Sequence, residues 1–198
     1  MNNFKKLTFN LINNTIRISG NKNSIKFLSI VSFLESILFP IPPDIFLIPI
    51  VLAKKYKWLY LGLVCTFFSI LGGSIGYLIG YFFWDLIGSQ ISNFYNANDE
   101  IETLRVQFSK YGWFIIFIAG FTPIPYKVFT LGSGLLSFSF FIFLFCSLIS
   151  RGLRFITLAY LVHKYGDKSI DLVKKHFVKI TLMTFFIATG LFCFFLIK

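Results

Sequence analysis

Two short stretches decide how this chain folds: FPIPPD at residues 39–44 and FTPIPYK at residues 121–127. Pro40, Ile41 and Pro42 of the first align with Pro123, Ile124 and Pro125 of the second, and Asp44 then falls opposite Lys127. Proline removes a backbone donor and drives the residue before it out of the helical region. Each unit, the first lengthened by Pro43, therefore breaks a helix. At membrane depth the carbonyls released by a break need partners, so broken helices persist only against protein or a water-filled cavity. Each break follows one short apolar arm and precedes another arm and a longer apolar stretch. Two breaks in corresponding positions are the pattern of an internal repeat with a site near mid-membrane.

The surrounding composition demands a membrane. Of 198 residues, 56% are hydrophobic and 14% charged, with a mean hydropathy of +0.76. Soluble domains average about 45–50% apolar and about 25% charged residues. The 28 phenylalanines outnumber the 19 basic and 8 acidic side chains together, and so short a chain has too little interior to hide them. Composition argues against a soluble enzyme, a disordered chain and a secreted disulfide scaffold. The formal net charge of +11 does not mark a nucleic-acid binder, because the bases cluster beside apolar segments as cytoplasmic flanks do. Cys65, Cys146 and Cys193 lie within apolar stretches without CxxC spacing and read as packing groups.

Charge also sets the topology. Residues 1–26 carry five bases and no acid, and residues 54–57 carry three lysines. A single crossing between them would place the two clusters on opposite sides, against the positive-inside tendency. A re-entrant hairpin over 27–53 keeps both in the cytoplasm. The span 58–83 then leads to an external loop, 85–110, which holds Asp85, Asp99, Glu100 and Glu102 against Arg105 and Lys110. A second re-entrant segment, 111–136, and a span, 137–162, return the chain to the lysine-rich tract at 164–179. The expected fold is an all-α polytopic membrane protein with two opposed re-entrant hairpins, broken at proline tips, plus about three transmembrane helices in an inverted-repeat-like order. Residues 1–26 form a cytoplasmic, interfacial segment, 27–166 the membrane domain, and 167–198 a basic linker with a last span at 180–197.

Five ionisable residues fall within this membrane domain: Glu35, Asp44, Lys127, Arg151 and Arg154. Such groups are expensive in hydrocarbon and face protein or water, which makes them the candidate site. Lysine supplies 15 of the 19 bases, yet two of only four arginines occur here. Their i, i+3 spacing puts both on one helix face, where planar guanidinium groups can hold carboxylate or phosphate in bidentate fashion. Glu35 and Asp44 are candidate proton sites, or else structural partners of Lys127 or an arginine. Gly72, Gly73, Gly76 and Gly80 in GGSIGYLIG give small-xxx-small spacing, which reads as close helix packing against a re-entrant arm. His163 and His176 join no metal-ligand cluster, and no catalytic constellation appears, so neither enzyme, cofactor nor metal centre is expected.

These residues together resemble the DedA family, also called SNARE-associated Golgi or VTT-domain proteins, and most closely its bacterial YqaA-like branch. The carriers are Glu35, PIPPD ending in Asp44, GGSIGYLIG, AGFTPIPYK followed by Gly132 and Gly134, and SRGLRF at 150–155. The resemblance covers about residues 27–166. It implies opposed re-entrant hairpins, a multi-pass location in the bacterial plasma (inner) membrane, and a role in membrane homeostasis. It also implies membrane lipids as partners, with undecaprenyl phosphate and anionic phospholipid as the named candidates, and functional roles for Glu35 and Asp44. The family's second hairpin usually carries an arginine on each side of the proline. Here Gly120 or Phe121 replaces the first and Lys127 stands one residue from the second, leaving Arg151 or Arg154 to supply the charge.

The expected function is a proton-linked translocator or flippase for an anionic lipid or small anion. Its alternative is a non-transporting scaffold or assembly factor with buried structural ion pairs. Homo-oligomers are compatible with both, and the N-terminus is expected in the cytoplasm.

Overall fold

The computed structural model describes residues 23–37, 42–88, 90, 98–122 and 125–166. The tip residues Pro40, Ile41, Pro123 and Ile124 lie outside the described residues, as do the expected interfacial segment up to residue 22 and the linker and last span at 167–198. Six α-helices and no strand occur among the described residues: α1 (Ser24–Ile37), α2 (Asp44–Ala53), α3 (Trp58–Phe83), α4 (Asn98–Phe121), α5 (Tyr126–Leu135) and α6 (Phe140–Tyr165). Helices α3 and α6 are long and apolar enough to cross a membrane. At 26 residues each, they extend about 39 Å.

Local sequence sets the boundaries. Pro43 and Pro125 hold the capping positions of α2 and α5, with φ of −64° and −60°. Proline suits a helix start, because its missing N–H would have had no intrahelical partner there. Helix α4 begins at Asn98, inside the segment assigned to an external loop. The charges of residues 98–110 oppose burial in hydrocarbon but not helix formation, so the arm starts as a helix within that polar stretch.

The long helices are inside out by the standard of a soluble protein. Leu63, Phe67, Leu71 and Phe82 of α3, and Phe141, Phe145 and Leu153 of α6, are exposed, while Ser69, Gly72 and Gly76 and then Ser147, Ser150 and Gly152 are buried. Small and polar residues on the helix–helix faces and large apolar ones outside are what a lipid solvent selects.

Helices α3 and α6 run antiparallel in contact along their length. Trp58 meets Tyr160 (rings 5.4 Å apart), Ser69 meets Arg151 (2.7 Å), and Tyr77 meets Phe143 (5.3 Å). Helix α1 runs parallel to α3, since Ser32 bonds the Cys65 carbonyl and Ser36 bonds Ser69, both at 2.8 Å. It starts level with Lys54, whose Nζ donates to Ser24 Oγ at 2.7 Å, and ends beside the middle of α3. Helix α2 then returns, so both ends of the first hairpin lie at the start of α3. In the second half, α4 runs parallel to α6, with Gly112 against Phe138 and Gly120 against Ser150. Phe108 and Phe138 close that hairpin's base, with ring centroids 5.3 Å apart, at the opposite end of the bundle.

The halves correspond in detail. Each has a 10-residue second arm and a 26-residue long helix. Asp44 and Tyr126, Ala53 and Leu135, Trp58 and Phe140, and Phe83 and Tyr165 are all separated by 82 positions. This corrects the motif alignment by one residue: Asp44 corresponds to Tyr126, not Lys127. Two prolines, Pro42 and Pro43, precede α2, whereas α5 starts directly after Pro125. The second arms are exchanged between halves. Helix α2 packs on α6 and α5 packs on α3.

Two apolar clusters fill the ends of the bundle. Leu28, Phe46, Leu47, Ile50, Leu61 and Phe155 belong to one, and Tyr77, Ile116, Tyr126, Phe138 and Phe143 to the other. Between them lies a polar layer at the level where both hairpins turn.

Candidate functional site

The polar layer is built around α6, whose Arg151 and Arg154 face the two turns. Arg151 is only 1% exposed. Its Nε donates to Ser69 Oγ at 2.7 Å, and its Nη2 donates to Glu35 Oε2 at 2.5 Å and to Ser36 Oγ at 3.4 Å. The guanidinium lies over two rings, 4.7 Å from the Tyr126 centroid and 4.8 Å from that of Phe155. Tyr126 is held in turn by its hydroxyl, which donates to Ser147 Oγ at 2.6 Å. A buried guanidinium needs a countercharge and filled donor positions, and four different helices contribute to meeting that need here.

Arg154 is one turn further along. Its Nη2 pairs with Asp44 Oδ2, and its Nη1 donates to the Thr122 carbonyl oxygen at 2.5 Å. Asp44 is the first residue of α2, immediately past the first break, while Thr122 directly follows α4 at the second. One guanidinium thus bridges both turns. Asp44 is 5% exposed, and its Oδ1 has no hydrogen-bond partner among the described residues. An acid in the first turn of α2 also suits the positive end of the helix dipole.

The structure thus brings Glu35, Asp44, Arg151 and Arg154 together in two arginine–carboxylate pairs. The acids bracket the first break, and both arginines stand on one helix. Lys127 is the second residue of α5 at the other turn, half-buried, and its backbone carbonyl accepts the Thr130 hydroxyl at 2.9 Å. Among the helix-break residues, Pro42 and Pro43 lead into α2 and Pro125 into α5.

The glycines of α3 serve both hairpins. A Cβ on Gly72 would overlap the Phe33 carbonyl of α1. On Gly73 it would stand 3.0 Å from the Tyr126 ring, on Gly76 2.7 Å from Thr130 Oγ1, and on Gly80 it would overlap the Leu131 carbonyl of α5. The packing partner is therefore an arm from each half, where the sequence pointed to one.

Sequence reasoning passed over Ser36, Tyr126, Phe155 and the Thr122 carbonyl. Ser24, Ser32 and Ser36 at multiples of four residues in an apolar stretch were a usable signal for a buried polar stripe on α1. The two ring partners of Arg151 had none, because they depend on the packing of separate elements. Among the described residues no three His, Cys, Asp or Glu side chains form a metal-binding group.

The arrangement sets two guanidinium groups against two carboxylates, so an anion reaching it would compete with those carboxylates for the same donors. Among the described residues no activated nucleophile stands beside a base.

Comparison with known proteins places the chain in a family. The VTT domain matches residues 41–164, a stretch that includes Asp44, Lys127, Arg151 and Arg154 but starts after Glu35. An uncharacterized protein of Haemophilus influenzae (strain ATCC 51907 / DSM 11121 / KW20 / Rd) is 33% identical over 189 residues, covering 92% of this chain and 98% of its own. The uncharacterized protein HI0703 homolog of Histophilus somni is 33% identical over 163 residues, covering 82% of this chain and 85% of its own. No solved structure matches significantly. Nearly two-thirds of the chain thus lies within the domain match, and a relative aligns over almost its full length: the chain belongs to the VTT-domain family, the DedA proteins.

Proposed function

We propose that this protein is a multi-pass component of the bacterial inner membrane that moves an anionic lipid or small anion in a proton-linked cycle. The charged layer sits at mid-bilayer, and the two hairpins are re-entrant from opposite faces. The end holding Lys54, Lys55, Lys57 and Lys164 is cytoplasmic, as is the N-terminus. Arg151 and Arg154, with Lys127 at the second turn, hold the anionic group. Glu35 or Asp44 exchanges the proton. Membrane lipids are the partners, and undecaprenyl phosphate and anionic phospholipids are the candidate substrates to compare.

The observation that carries this reading is the position of the two arginine–carboxylate pairs, on either side of a helix break and between apolar clusters. Charges at that depth are retained against a cost of several kcal/mol, and paired breaks mark substrate sites in transporters built from inverted repeats. Reconstitution into liposomes tests it. Labelled anionic lipid should cross faster than in protein-free vesicles, and a pH gradient should change the rate. Equal rates with and without protein, under both conditions, would falsify the proposal.

A second reading, a scaffold or assembly factor, is favoured by one observation: both acids are closed onto arginines, as structural pairs would be. It predicts that Glu35→Gln and Asp44→Asn lower folded yield and activity together. A well-folded variant that no longer moves lipid supports the translocator instead.

A further inference from the structure

We infer that Arg154 latches the start of α2 to the end of α4, and that a phosphate-type anion binding its guanidinium releases both together. The inference rests on the anion reading above and adds how occupancy of the site reaches the rest of the fold. Its basis is the use of a single side chain. Arg154 Nη2 is committed to Asp44, the first residue of the first hairpin's returning arm. Its Nη1 is committed, at 2.5 Å, to the carbonyl of Thr122 at the end of the second hairpin's leading arm. In an uninterrupted helix that carbonyl would accept from the N–H four residues on. The break removes this partner, and Arg154 replaces it.

A planar guanidinium presents its N–H groups as a fork. A phosphate oxygen pair approaching the two Nη atoms would compete with the carboxylate and the carbonyl for the same donors. The surroundings favour approach on the Thr122 side. There α5 begins without an acid in its first turn and with Lys127 as its second residue, whereas the N-terminal end of α2 is already neutralised by Asp44. Arg151 does not share the latch role. Its donors reach Glu35 and Ser36 on α1 and Ser69 on α3, and it lies over the Tyr126 and Phe155 rings. The geometry therefore separates a fully buried arginine from a partly accessible one, with 1% and 13% of their side chains exposed.

Amide hydrogen exchange on the full-length protein in detergent, read by mass spectrometry with inorganic phosphate as the probe, tests the latch. Phosphate should accelerate exchange in peptides covering 42–50 and 118–130 together, by about tenfold. Chloride at the same ionic strength should leave both unchanged. Arg154→Lys keeps the charge but not the fork. In that variant the 118–130 peptide should exchange fast without phosphate, and phosphate should add little. Release of one turn alone, protection of both, or no response in the unmodified protein each overturns the inference. The unmodified protein decides the question, so a variant that fails to fold does not obscure it. Lipid movement in liposomes without phosphate-dependent release would sink the latch and spare the translocator. Release without lipid movement would do the reverse.

Discussion

The two halves of this bundle share a backbone plan and divide its chemistry unequally. At the 82-residue offset, Ser69 of α3 corresponds to Arg151 of α6, and Gly72 corresponds to Arg154. Where the first hairpin places Asp44 against Arg154, the second places Tyr126 beside the glycines of α3. Both hairpins approach α3 closely, the first across Gly72 and the second across Gly73, Gly76 and Gly80, but only the first adds carboxylates that pair with the arginines of α6. Equal architecture with unequal chemistry puts the acids in the first half and the arginines in the second, so the ion pairs join the halves. The lesson is that the repeat fixes where the turns meet, and single substitutions on α3 and α6 decide what meets there.

Replacing Arg151 should disturb the comparison most. Arg151→Ala leaves Glu35 without its countercharge, removes the guanidinium N–H groups from Ser69 and Ser36, and empties the space beside the Tyr126 and Phe155 rings. Removing one partner of a buried pair costs about 3–5 kcal/mol. Thermal unfolding in detergent should shift strongly downward, with most of the protein lost on size-exclusion chromatography. Adding Glu35→Gln should recover part of the loss, because the stranded charge disappears. A double-mutant cycle should then give a coupling of at least about 1 kcal/mol. Additive losses would show that the pair is not what holds α1 to α6.

The contact across the glycines comes next. Gly80→Ala puts a methyl group on the Leu131 carbonyl, and backbone cannot rotate away as a side chain can. Helix α5 must retreat from α3, at about 1–3 kcal/mol. The effect should be confined to the second hairpin, seen as faster amide exchange over 126–135 with the first hairpin unchanged. Equal loosening of both hairpins would mean that the halves are not independently clamped.

Asp44→Asn should be milder for stability and larger for function. An asparagine oxygen still accepts from Arg154, and Arg154 keeps the Thr122 carbonyl, so the expected loss is about 1–2 kcal/mol. Lipid movement in liposomes should fall by about tenfold or more if the carboxylate takes part in the cycle. Activity that falls only in proportion to folded protein would move the assignment to the scaffold reading.

These outcomes follow the line between what was and was not legible in the sequence. The apolar stretches, the breaks at the two Pro-Ile-Pro units and the five interior charges are local features, written in composition and order. The pairing of Glu35 with Arg151 and Asp44 with Arg154 is not local. It depends on the antiparallel register of α3 against α6 and on the exchange of second arms between halves, neither of which any single segment encodes. The alignment of Asp44 with Lys127 followed the proline motif, but the helices take their register from the last proline before each, one residue away. Helix α4 extends through residues 98–110 because charge reports on the preferred solvent and says little about backbone conformation.

The smallest predicted effect isolates the helix from the site. Gly132 lies within α5, yet a Cβ built on it would meet nothing within 4 Å. Its neighbour in type, Gly134, would drive a Cβ into the Tyr77 carbonyl. The stripe rule treats such glycines alike, but they face different directions on one helix. Gly132→Ala should therefore stabilise the protein by about 0.5–1 kcal/mol, the ordinary helix-propensity difference, whereas Gly134→Ala should destabilise it and loosen α5 from α3. Thermal unfolding of the two variants side by side checks both signs. If both destabilise, the Gly132 face of α5 is in contact with something that the bundle packing alone does not supply. If both are neutral, the close approach of the second hairpin to α3 does not hold it in place.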